Sequence, residues 1–294
     1  MRRMAVVVAA VTCLTVSAFA TEMGGSAYPN GAEGIMAGAL PPPGLYLLNY
    51  TTFYSADKFC DGNGNSAIPG FKLEAWANVV RILKVSDAKI LGGNWAMHLF
   101  VPVANLDVTI PGRSDGSFDI GDVIVDPFIL GWHAPPWHFA AGIDCYLPTG
   151  GFSTLELANV GRNCFTFEPI FAFTYLNQSG CEVSAKFMYD FNLKNSDTNY
   201  QSGQEFHVDY AVARHLKNDW TVGLAGYCYF QTTDDEVAGA PVPPDGNKGK
   251  VFALGPTVQY GRGKTNVAFT CQKEFGAENK PEGLKLWLKV IKAF

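Results

Sequence analysis

The feature that most constrains this chain is a two-residue alternation of polar and apolar side chains, sustained over segments too long for ordinary sheet proteins. In Glu205-Phe206-His207-Val208-Asp209-Tyr210-Ala211-Val212-Ala213 the odd positions are polar or small and the even ones mostly bulky and apolar. Glu182 to Asn192 repeats this with the opposite parity, and Lys264 to Glu274 sets Lys264, Asn266, Thr270, Gln272 and Glu274 against Thr265, Val267, Phe269 and Cys271. Successive side chains of a strand point to opposite faces, so each segment has one wet and one oily face. About twelve such segments are legible, near 45–55, 71–84, 95–104, 121–132, 137–147, 167–176, 181–192, 203–216, 219–231, 250–261, 264–275 and 283–294. Most exceed the five or six residues usual in soluble sheets and match the roughly 9 to 11 needed by a tilted strand crossing a bilayer. The pattern predicts an all-β fold, an antiparallel transmembrane β-barrel of about 12 strands.

The connections point the same way. His133-Ala134-Pro135-Pro136, Asn177-Gln178-Ser179-Gly180, Lys217-Asn218-Asp219 and Gly261-Arg262-Gly263 read as tight turns. Long connections fall between them, near 56–70, 105–120, 148–166, 193–202 and 232–249, as when one rim carries periplasmic turns and the other external loops. The link 85–94 is longer than this scheme prefers. The last segment alternates Leu284, Leu286, Leu288 and Val290 with Lys285, Trp287 and Lys289 and closes on Phe294, similar to the signal read by the barrel assembly machinery.

Residues 1–20 read as an export signal. Arg2 and Arg3 precede an apolar run, and Ala18-Phe19-Ala20 supplies the small residues of a cleavage site after Ala20. No later stretch holds 18 apolar residues in succession, so a helical membrane protein is not expected. The expected location is the Gram-negative cell outer membrane. Residues 21–44, rich in Gly and Pro and ending in Pro41-Pro42-Pro43-Gly44, cannot pair as a strand and form a leader or a lumen plug ahead of a barrel at 45–294. A formal charge of −5 argues against nucleic acid as a partner, since phosphate binding needs a basic face.

Other chemistries leave weak traces. Cys145, Cys228 and Cys271 share the apolar faces of their strands, while Cys60, Cys164 and Cys181 lie near loops, where one bridge is conceivable. No Cys/His spacing suggests zinc, and no metal or cofactor is expected. Asp61-Gly62-Asn63-Gly64-Asn65 resembles the start of a calcium loop, but Lys72 stands where the bidentate Glu belongs, and a polar external turn is the better reading. No nucleophile–base motif picks out a catalytic trio, so no enzyme is expected. Parity puts charges of both signs inside, among them Lys72, Glu74, Glu168, Lys186, Asp190 and Lys285. They either brace a closed barrel or line a wet conduit.

Short motifs spread over nearly the whole mature chain carry a family resemblance. These include Tyr28-Pro29-x-Gly31-x-Glu33-Gly34, Pro41-Pro42-Pro43-Gly44, Gly121-Asp122-x-x-x-Asp126-Pro127 and Leu130-x-Trp132-His133. Pro148-Thr149-Gly150, Thr174-Tyr175, Thr198-x-Tyr200-x-Ser202-Gly203-x-Glu205-Phe206-His207-x-Asp209-Tyr210 and Gly223-Leu224-x-Gly226-Tyr227-x-Tyr229-x-Gln231 continue it. The chain resembles the family of outer-membrane transporters named for the meta-pathway of phenol degradation. The resemblance implies a channel for passive uptake of small hydrophobic or aromatic compounds. It transfers no binding residues. Inward positions inside the matched motifs are the candidates for the solute path: Asp122, Asp126, Glu205, His207, Asp209, Tyr227, Tyr229 and Gln231. A structural or adhesive barrel with a shut lumen, and a barrel hydrolase, are the alternatives.

Overall fold

The computed structural model describes Glu22 and residues 24–294; the expected export signal lies outside the described residues. Strands β1 (Gly44–Phe59), β2 (Lys72–Ile90), β3 (Gly93–Ile110), β5 (Val123–Ala134), β6 (Trp137–Leu147) and β7 (Thr166–Leu176) form half of one closed antiparallel wall. The other half is β8 (Cys181–Asn192), β10 (Glu205–His215), β11 (Trp220–Gln231), β14 (Lys250–Arg262), β15 (Thr265–Glu278) and β16 (Pro281–Ala293). Each pairs with its neighbours in this order, and β16 pairs back onto β1, which makes a twelve-stranded barrel. Strand β4 (Arg113–Ile120) extends one edge, pairing with β3 beside β5. The two-residue strands β9 (Tyr200–Gln201), β12 (Glu236–Val237) and β13 (Ala240–Pro241) form a small separate sheet in the loops.

Outward positions carry the oil. Phe269 is 46% exposed, Leu224 51% and Val212 57%, as lipid-facing residues of a barrel must be. Trp137 against Tyr175 and Trp220 against Tyr260 cluster near the short-turn rim, where amphipathic rings suit the interface. The six cysteines among the described residues are free thiols.

Two sequence expectations fail for one reason. Residues 85–94 are not a connection: β2 runs to Ile90, turns at Leu91-Gly92 and returns in β3. Residues 105–120 likewise hold the end of β3 and the hairpin to β4. These strands are 19 and 18 residues long, more than a bilayer needs. Their ends carry Ser86, Asp87 and Asp107, so the apolar alternation stops while the ladder continues. The assignment of Lys72 and Glu74 to the interior is also corrected. Tyr50, buried inside, pairs with Val79, so Leu73, Ala75, Ala77, Val79 and Arg81 face inward and Lys72 and Glu74 outward, on the projecting end of β2.

Residues 24–43 traverse the lumen. Glu22 meets Asn195 and Thr198 among the long loops, Gly31 lies against Gln272 and Tyr227, and Gly38 against Phe173 and Thr174. The chain then reaches Gly44 at the short-turn rim, where β1 starts. Gly38 passes so close to the wall that a Cβ would lie 2.3 Å from the Phe173 carbonyl carbon, and Gly31 has φ +88°, which side-chain-bearing residues rarely adopt.

Candidate functional site

The threading segment is held by groups that strand parity turned inward. Asp209 collects three donors from it: Tyr28 Oη at 2.6 Å, Gly31 N at 2.8 Å and Glu33 N at 3.0 Å. His207 Nδ1 lies 2.8 Å from Asn30 Oδ1, Met36 N donates to Glu182 at 2.6 Å, and Gly38 N donates to Thr174 Oγ1 at 3.0 Å. The Glu33 carboxylate stands at the crossing point, with Lys289 at 2.8 Å, Arg81 at 3.2 Å and a bond from Tyr50 Oη at 2.9 Å. Two motifs about 180 residues apart therefore meet, the Tyr28-to-Gly34 run docking on the Glu205-to-Asp209 run.

The segment packs against the polar side of the lumen and leaves the opposite side open. There, Ala77 and Val79 of β2, Phe100 and Pro102 of β3, Ile124 of β5 and Tyr28 of the segment form the apolar face of a cavity of about 180 Å³, whose other lining carries Glu33, Asp122, Asp144, Arg162 and Lys186. A second cavity of about 370 Å³ lies toward the short-turn rim, lined by Leu40, Leu83, Ile129, Ala172 and Ile291 among others. Glu33, Phe100 and Lys186 border both. The two spaces thus lie on either side of the Glu33 ion pairs.

Among the eight sequence candidates, only Asp122 borders the upper cavity, and it is occupied in tying down the loop after β6, accepting bonds from Gly150 N and Arg162 N. Asp126 is fully buried and accepts from Phe128 N and Ile143 N. It replaces ladder bonds where the β5–β6 register breaks between Val125 and Leu130. Glu205 lies near Arg162 (3.9 Å) and accepts from Asn192 Nδ2. Tyr227 bonds Glu274, Tyr229 lies under the Lys280 ammonium at 3.9 Å, and Gln231 braces Asp235 and Gly249. Of the candidates, His207, Asp209 and Tyr227 meet the threaded segment, and the others brace the loops or the wall. The sequence reading missed the cavity wall because Ala77, Val79 and Phe100 carry no polar group to mark them as inward. It also passed over Tyr28 and Glu33, although both lie in a motif it singled out.

Two other traces resolve plainly. Asp61 Oδ1 accepts from Asn65 N and Asn63 N, which hold its carboxyl below the ordinary range and close a polar turn. The hydroxyl–imidazole–carboxylate line Thr221–His215–Glu182 offers no exposed nucleophile, since Thr221 is 4% exposed and Glu182 is taken up by Met36 N and Ser184 Oγ.

The sequence matches the family profile described as "Putative MetA-pathway of phenol degradation" over residues 56–290. No curated protein matches it. Among solved structures it is similar to an outer membrane channel from Pseudomonas putida F1, with 13% identity over 89% of this chain and 99% of that one and a TM-score of 0.79. It is also similar to the translocator domain of autotransporter NalP from Neisseria meningitidis, with 11% identity over 86% of this chain and 90% of that one and a TM-score of 0.50. At such identities the likeness is one of fold.

Proposed function

The chain belongs to the phenol-degradation family, and on that premise we propose that it is a passive outer-membrane channel for small hydrophobic or aromatic molecules. In this reading residues 1–20 are removed after Ala20, 21–44 form the lumen segment and 45–294 the barrel. The observation that carries the proposal is the apolar inner wall. A barrel whose interior only braces itself has no use for Ala77, Val79, Phe100, Pro102 and Ile124 around open space. An apolar cavity of roughly 150 Å³ is enough to bind benzene in another protein, so about 180 Å³ suits a single substituted ring. The solute would rest there and pass the Glu33 crossing when the segment shifts. No reaction is involved, and the protein acts as a conduit rather than an enzyme. Asp122 borders this path; the other seven candidates act on it indirectly, by positioning the segment or the loops.

The test is uptake of toluene, phenol and benzoate into proteoliposomes, with planar-bilayer conductance in parallel. Wild type is expected to admit the uncharged rings faster than benzoate. Val79→Asp is expected to lower that flux at least severalfold, because a carboxylate in the apolar cavity must be desolvated or hydrated at the solute's expense. Equal flux in protein-free vesicles would refute the proposal. A closed structural barrel is the rival reading, favoured by the packing of residues 24–43; it predicts no flux even after deletion of 22–42.

A further inference from the structure

Across β6, β7, β8 and β10 the inner wall carries a row of carboxylates. Asp144 pairs with Glu168 and Asp190 with Glu205, and the flanking pairs Phe167–Phe191 and Ile170–Met188 set Glu168 opposite Asp190. Like charges directly opposite one another destabilise a sheet unless something neutralises them. Only two full cations stand within ion-pair distance of the row among the described residues. Lys186 is 3.7 Å from both Asp144 and Glu168, and Arg162 is 3.9 Å from Glu205. Four carboxylates against two full cations, with His98 bonded to Asp144, leave the row short of positive charge where none of the four is more than 2% exposed.

The deficit is localised. Neither oxygen of Asp190 has a hydrogen-bond partner, and neither do Glu168 Oε1 and His207 Nε2, although all three side chains are fully buried. His207 Nδ1–H donates to Asn30 Oδ1, whose own amide nitrogen donates to Ser26 Oγ. With Nδ1–H engaged there, Nε2 stands 3.2 Å from Asp190 Oδ2 and 3.9 Å from Glu168 Oε2 with no hydrogen bond to either. An unprotonated ring nitrogen this close to two carboxylates repels them unless a positive species sits between.

We propose that Glu168, Asp190 and His207 bind one divalent transition-metal ion of the zinc type. A ligand atom from each lies within 4.8 Å of the others, and ligands about 2.1 Å from a common ion are about 3.4 Å apart when tetrahedral. One imidazole and two carboxylates suit zinc, and the Asn30 bond is the outer-shell contact that metal-binding histidines usually make. The other His–carboxylate cluster, His98 with Asp126 and Asp144, is different: both His98 nitrogens are engaged, by Arg81 and Asp144, and Asp126 serves backbone amides. The linear sequence shows no metal spacing because the three ligands come from three neighbouring strands. The ion would tie Asn30, and with it the threaded segment, to the wall, whatever solute the lumen carries.

The test uses the folded protein in detergent with His133 and His138 changed to Gln, since that exposed pair, 2.7 Å apart at Nδ1, could itself capture zinc. After chelation, zinc loading and desalting, mass-spectrometric metal analysis is expected to find about one zinc per chain. Asp190→Asn and His207→Gln are expected to lose it, and Asn30→Ala to weaken binding about 10–100-fold in a competition titration. Cobalt(II) substitution would give visible bands that Asp190→Asn abolishes. A folded parent that retains no zinc or cobalt would overturn the proposal and leave a proton shared among the three groups as the occupant. Equal binding by both ligand variants would also overturn it.

Discussion

At the scale of single residues, the interior is organised by a few carboxylates that each collect several donors. Asp126 stands in for missing ladder bonds at the β5 irregularity, and truncating it leaves two wall amides without an acceptor. Asp126→Ala is therefore expected to cost roughly 1–3 kcal/mol, read as an earlier urea midpoint for loss of the heat-modifiable folded band. Glu33 joins the segment to β2 and β16 through Arg81 and Lys289. Glu33→Gln keeps the shape and removes the charge. Its expected result is larger or more frequent conductance in planar bilayers at unchanged fold, whereas indistinguishable traces would show that the crossing does not gate the path.

At the scale of elements, twelve strands alternate cleanly where they cross lipid and irregularly where they leave it. The outward position Phe171 lies mid-strand in β7, 47% exposed, and Phe171→Arg is expected to destabilise by about 2–4 kcal/mol. Glu74→Arg, also outward but on the projecting end of β2, is expected to change little in the same unfolding assay. The same division explains what the sequence made legible. Strands such as β8 and β10 could be read to within a residue or two, because bilayer and lumen impose opposite demands on alternate positions. The ends of β2 and β3 were hidden because water on both faces imposes none. Parity found the inward charges of β7, β8 and β10 but misjudged β2, whose inward Ala77 and Val79 are as apolar as its lipid-facing Val80 and Ile82. Pairings between strands, and so the carboxylate row, depend on which strands become neighbours, which periodicity alone does not tell.

At the scale of the whole molecule, the wall, the loops and the threaded segment divide the labour. The loop rim is stitched by the Tyr200–Asp235 bond and by Leu157 and Ala158 packing with Phe71 and Val108. The turn rim is open enough for the larger cavity to reach Gly263 and Ala293. With Glu22 among the long loops, an epitope inserted just before it is expected to react with antibody on intact cells. Labelling only after cell lysis would place that end at the other face. The segment's own backbone-to-backbone bonds, such as Ala37 N to Gly34 O, stay within it, and its hold on the wall runs through side chains. Its withdrawal would accordingly unzip no rung of the sheet: like a cord drawn from a sleeve, it would leave the tube cleared and its seams sewn.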